Sequence, residues 1–149
     1  MLLKTHLAIA VFAIILFFPV VNNPLIFSVM VLVATIIPDL DTRFTKIGNL
    51  AFSKIVQVFT NHRGVIHSLT FAIFISLFFA IFIPVIAFGF FLGYSLHLIA
   101  DSFTKMGITP FWPYSKKAAG TLNSGGVAER GIFFTFVLVD ILLFLSKVF

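Results

Sequence analysis

The chain contains no cysteine, so it can form neither disulfides nor thiolate metal sites. Any bound metal must rely on histidine nitrogen and carboxylate oxygen. Charge is scarce as well: 10% of the 149 residues are Asp, Glu, Lys or Arg, 60% are apolar, and the mean hydropathy is +1.17. Those values exclude an ordinary water-soluble domain. No sustained heptads with charged flanks are present, which excludes a coiled coil. The 22 Phe and long apolar runs exclude disorder. What remains is an all-α integral membrane protein, a single domain over residues 1–149. The net charge of +5 does not indicate nucleic acid, because the basic residues are scattered through membrane-flanking segments and form no stripe interleaved with aromatics.

Five segments approach the roughly 17 to 25 residues that a membrane helix needs: Thr5 to Val21, Pro24 to Pro38, Val65 to Ile83, Pro84 to Ala100, and Gly131 to Ser146. No charged side chain occurs from Gly64 to Ala100. As one helix that stretch would reach roughly 55 Å, so Pro84 marks a tight hairpin. Asn22, Asn23 and Pro24 separate the first pair. The first segment lacks a small-residue cleavage site before Asn22 and reads as a retained helix. Between the second and third spans, Phe44, Ile47, Ala51, Ile55, Val58 and Phe59 face one way, and Lys46, Asn49, Ser53 and Gln57 the other. That pattern predicts an interfacial helix. The last connection, Ser102 to Arg130, reads as an ordered turn at Pro110 and Pro113 followed by a flexible Gly-rich loop. With five spans, nine of the ten basic residues fall on one side, and only Lys147 falls opposite. The positive-inside rule then predicts a multi-pass protein of the cytoplasmic membrane with its N-terminus in and its C-terminus out.

The titratable groups are unevenly placed on this topology. His6, Asp39, Asp41, His62, His67, His97, Asp101 and Glu129 all fall at the cytoplasmic end, and they comprise every His and four of the five acids. Ionisable groups at such depths are costly and mark functional sites. His97 and Asp101 are four apart, on one helical face, and can bind one ion. His62 and His67 are five apart, about 140° around a helix, so a break at Gly64 is needed to bring them together. Asp39 and Asp41 follow Pro38 and sit, like Asp101, near a helix C-terminus, where a cation is favoured. The third and fifth spans present N-termini at Gly64 and Gly131, flanked by Arg63 and Arg130, and such ends attract phosphate. Each residue also has a plainer reading: His6 as an interfacial side chain, Asp39 and Asp41 as turn formers, His62 and Arg63 as an interfacial basic pair, Glu129 as a loop acid. Asp140, in the middle of the fifth span, reads as a protonated structural acid. Trp112 and Tyr114 read as interface anchors.

The blocks Thr5-His6, Pro38-Asp39-Leu40-Asp41, His62-Arg63-Gly64-x-x-His67-Ser68 and Gly93-Tyr94-x-x-His97-x-x-x-Asp101, followed by Thr104, Gly107, Trp112-Pro113 and Glu129, resemble the YdjM-like family of membrane-bound metal-dependent hydrolases. The resemblance covers nearly the whole chain. It implies a helical membrane protein with a His and Asp metal centre and, more distantly, kinship with the zinc-dependent phospholipase C and P1 nuclease group. His-Glu-x-x-His and Gly-x-Ser-x-Gly are both absent. The leading expectation is therefore a hydrolase of a phosphoester in a membrane lipid or lipid-linked substrate. It would hold one to three Zn ions, or Mn as second choice, on His6, Asp39, Asp41, His62, His67, His97 and Asp101. Asp41 or Glu129 would accept a proton, and Arg63 would clamp the phosphate. The alternatives are a divalent-metal binding or transport protein, and a membrane protein whose His and Asp groups are joined only by hydrogen bonds.

Overall fold

The computed structural model describes residues 1–41 and 65–148. The expected interfacial helix, His62 and Arg63 lie outside the described residues. Within them the chain forms α1 (Leu3–Phe17), α2 (Pro24–Ile36) running into a 3-10 turn (Ile37–Asp41), α3 (Leu69–Phe82), α4 (Pro84–Ser102) and α5 (Val127–Val148), with no β-strand. Pro24 and Pro84 each open a helix, where the missing N–H costs nothing and the fixed φ suits the first turn. Only Ile83 separates α3 from α4, as the hairpin reading requires.

Three boundaries differ from the hydropathy pattern, each for a local reason. α1 ends at Phe17 because Pro19 cannot continue it, and Val20 and Val21 turn back to the Phe17 carbonyl. α3 begins at Leu69 because Ser68 caps it, accepting from Phe71 N at 3.2 Å, so His67 lies in the turn ahead of the helix. α5 begins at Val127, ahead of its apolar stretch. Glu129, in the first turn, reaches back to Gly125 N, and such an acid favours a helix start that apolarity alone does not register.

The connection from α4 to α5 is more ordered than its glycine content suggests. Ile108 and Ala118 exchange both backbone hydrogen bonds, and Lys105 N donates to Leu122 O while Leu122 N donates to Phe103 O. Gly107 adopts φ +60°, and a Cβ on Gly120 would fall 2.2 Å from Phe103 O, so both close approaches require glycine. The loop then returns to the bundle: Pro110 O accepts from Leu69 N at 2.8 Å and Thr70 N at 3.3 Å.

Among the described residues the outer surface is strongly apolar, and the interior holds buried ionisable groups beside two apolar clusters. Leu25, Phe74 and Ile81 are 77%, 71% and 73% exposed, while His6, His67, His97, Asp101 and Glu129 are all buried. A water-soluble fold arranges these classes the other way. α4 is long and apolar enough to cross a membrane; α1, α2 and α3 are apolar but shorter. α1, at 15 residues, spans roughly 22 Å. α2 and α4 pack at backbone contact: a Cβ on Gly93 would lie 2.2 Å from Val31 O. Thr35 Oγ1 ties the same seam, donating to Val31 O at 2.8 Å and Gly93 O at 3.2 Å.

Candidate metal centre

At the end of the bundle where α1 begins and α2 and α4 finish, five side chains converge. His6 comes from the first turns of α1, Asp39 from the 3-10 turn after α2, His67 from the turn before α3, and His97 and Asp101 from the last turns of α4. All five are buried, and their side-chain ligand atoms form two groups, His6–His97–Asp101 and Asp39–His67–His97, each within 4.8 Å. α1 can come so close because its inward face is small: Thr5, His6, Ala8, Ala10 and Ala13. A small face lets the His6 ring stack on His97 with centroids 3.9 Å apart and planes 6° from parallel.

Asp101 is the hub. Its Oδ1 lies 3.3 Å from His6 Nε2, and its Oδ2 lies 3.7 Å from both His67 Nε2 and His97 Nε2. The Met1 ammonium also meets Oδ1. His97 Nε2 is 3.9 Å from Asp39 Oδ1. These spacings exceed hydrogen-bond length, which for such pairs is roughly 2.7–3.2 Å. They lie close to the separation of roughly 3.3–3.4 Å between donors that share a tetrahedral ion with bonds of about 2.0–2.1 Å.

The tautomer of His97 sharpens this point. Its Nδ1 is 2.7 Å from the Thr35 carbonyl oxygen, which can only accept, so Nδ1 carries the proton and donates. Nε2 makes no hydrogen bond and faces carboxylate oxygens of Asp39 and Asp101, so in the neutral ring it is Nε2 that carries the lone pair. His6 Nδ1 likewise has no hydrogen-bond partner. A lone pair buried against two carboxylates is repulsive unless a cation stands between them. A divalent ion fits this donor set, with the Thr35 carbonyl holding the ring in place through its other nitrogen, Nδ1.

Two supports were not legible as such in the sequence. Thr35 lies one helical turn before Asp39, a spacing that placed its carbonyl near the site, but an uncharged residue in an apolar run gave no signal. Tyr94 is fully buried and donates its hydroxyl to Ile66 O at 2.5 Å, pinning the turn that carries His67. Of the remaining candidates, Asp41 ends the 3-10 turn, and its side chain lies outside the described residues.

Glu129 lies in the first turn of α5 and is buried. Its carboxylate accepts from Leu2 N at 2.6 Å, Thr5 Oγ1 at 2.9 Å and Gly125 N at 2.5 Å, and it belongs to neither ligand group. It thus clamps the start of α1 to the start of α5, one residue from His6. At the start of α3 the Leu69 and Thr70 N–H groups donate to Pro110 O and Phe71 N donates to Ser68 Oγ, and just ahead of α5 Gly125 N donates to Glu129. Glu129→Ala leaves three donors without their acceptor. We expect it to lower the melting midpoint by an amount corresponding to about 3 kcal/mol and to weaken metal binding roughly tenfold through His6. Thermal unfolding and metal titration of the variant check both.

No curated protein and no solved structure matches the chain. The expected distant kinship with the phospholipase C and P1 nuclease group therefore finds no counterpart there. A family model described as YdjM inner membrane protein matches residues 1–147, and the chain belongs to that family.

Proposed function

We propose that this member of the YdjM inner membrane protein family is a metal-dependent hydrolase that cleaves a phosphoester in a membrane lipid or lipid-linked substrate. The observation that carries the reading is His97 Nε2, buried and without a hydrogen bond, facing two carboxylates at ligand-to-ligand distance. His6, Asp39, His67, His97 and Asp101 would hold the ion or ions, joined by Asp41 and His62, with Zn favoured by the imidazole content. Such an ion supplies Lewis acidity, activating water near neutral pH and offsetting charge that develops on phosphorus.

The chain's own residues supply the rest. The Thr35 carbonyl orients His97, and Asp101 holds three imidazoles in place. With Glu129 engaged as a clamp, Asp41 is the proton acceptor in this reading. Arg63, four residues before His67, and Arg130, beside Glu129, clamp the phosphate as forked donors. In the membrane, α1 to α5 cross as five short spans with the N-terminus and the site cytoplasmic, which puts the cluster at headgroup depth. Asp140 is the one acid further along α5, roughly 16 Å beyond Glu129, so among the described residues no relay of ionisable groups continues to the far side. That favours hydrolysis over ion transport.

The test is metal analysis of detergent-purified protein, joined to hydrolysis assays on phosphodiester and phosphomonoester lipids with and without chelator. His97→Ala and Asp39→Ala should each lose most of the metal and at least 90% of the activity. Full metal content and activity in both variants sinks the proposal.

A further inference from the structure

Beside the ligand cluster lies an apolar cavity of about 450 Å³, lined by Met1, Ile9, Leu96, Ala100, Ile132 and Phe136, with Ile99, Phe103 and Leu122 at its margin. It exists because α4 and α5 each pack against α1 and not against each other, leaving a slot with α1 as its floor. Its wall on α4 is in register with the metal ligands. Leu96 precedes His97 and Ala100 precedes Asp101, so the apolar stripe and the ligand stripe run side by side, about 100° apart on the helix. Met1 lines the slot and also meets Asp101, so a single residue links the slot to the cluster. Along its margin Ile99 and Phe103 are 50% and 57% exposed, on the apolar outer surface that an inner membrane protein turns to lipid.

We infer that this slot binds one hydrocarbon chain of a membrane lipid and so delivers the lipid's polar head to the His and Asp cluster. The inference rests on the proposed hydrolysis of a lipid phosphoester and gives that substrate its recognition element. The slot runs about 10 Å along α4 from Leu96 to Phe103, with almost wholly apolar walls, and the His and Asp cluster lies alongside it on the neighbouring face of α4. A chain entering between α4 and α5 therefore keeps its methylenes out of water along the whole path. A soluble phosphoester would gain nothing from such walls.

The experiment uses the full-length protein in vesicles containing a phospholipid with a diazirine in the middle of one acyl chain. After illumination, peptides carrying Leu96, Ile132 and Phe136 should be labelled at least fivefold more than those carrying Phe74 and Ile81 on the outer face of α3. Ile132→Trp, which fills the slot without touching a ligand, should cut the slot labelling at least fivefold with metal content unchanged. It should also lower hydrolysis of the long-chain lipid while sparing a chromogenic phosphodiester that has no hydrocarbon chain. Equal labelling of slot and α3 face, or slot labelling indifferent to Ile132→Trp, overturns the inference. So does an unlabelled slot in a protein that migrates as a dimer, which assigns the slot to a second copy. Labelling of the slot with no hydrolysis of any phosphoester overturns the enzymatic reading and supports lipid binding alone.

Discussion

Asp101→Ala is expected to reduce metal affinity more than any other single replacement, by at least a hundredfold, and to abolish hydrolysis. His6, His67 and His97 all face this one carboxylate, at 3.3, 3.7 and 3.7 Å. Removing it deletes a ligand and leaves three buried imidazoles without the anion that organises them. Loss of a supporting partner alone typically costs 10-fold to 100-fold in metal affinity, so loss of a shared ligand falls beyond that range. Asp101→Asn keeps the size and one oxygen but removes the charge, and it should recover only a small part. Metal titration of the two variants, with circular dichroism to confirm helix content, gives the comparison. Wild-type occupancy in Asp101→Ala would show that this carboxylate is not a metal ligand.

The second large effect concerns packing. Gly93→Leu should prevent stable folding, or lower the melting midpoint by the equivalent of about 3 kcal/mol or more, because even a methyl group at this position would meet the Val31 backbone at 2.2 to 3.0 Å. Backbone atoms cannot move aside as a side-chain tip can. The seam also carries the site: Thr35 binds Gly93 O through its hydroxyl and His97 Nδ1 through its carbonyl. Spreading α2 from α4 therefore releases His97 from its tautomer. Gly131→Leu is the control, since a Cβ there meets nothing within 4 Å, and it should leave the midpoint within about 0.5 kcal/mol of the parent. Similar losses in both variants would show that the close α2–α4 contact is not what the glycine serves.

Much of this arrangement was legible in the sequence because membrane insertion makes charge expensive. Against an apolar background ionisable groups stand out, and His6, Asp39, His67, His97 and Asp101 do meet at one end of the bundle. The i, i+4 spacing of His97 and Asp101 puts them on one helical face. What hydropathy missed were features made by backbone groups. The helix starts at Leu69 and Val127 depend on Ser68, Pro110 O and Glu129 as partners, not on apolar periodicity. Glu129 was recognisable as an important acid but not as a clamp, because its three donors come from residues 2, 5 and 125, and only the folded chain brings those together. Thr35 and the slot beside Leu96 were silent for a similar reason. A carbonyl acceptor and a gap between two helices belong to packing, and neither leaves a mark in composition.

The most direct test of a metal held by nitrogen and oxygen alone is X-ray absorption at the zinc edge on protein purified without chelator, with the metal per chain measured on the same sample. The expected spectrum shows at least one ion per chain with a nitrogen and oxygen shell at about 2.0–2.1 Å and the outer-shell scattering of two or more imidazoles. Fewer than about 0.1 ions of any divalent metal per chain after zinc, manganese or iron is supplied, or a shell without imidazole scattering, would contradict it.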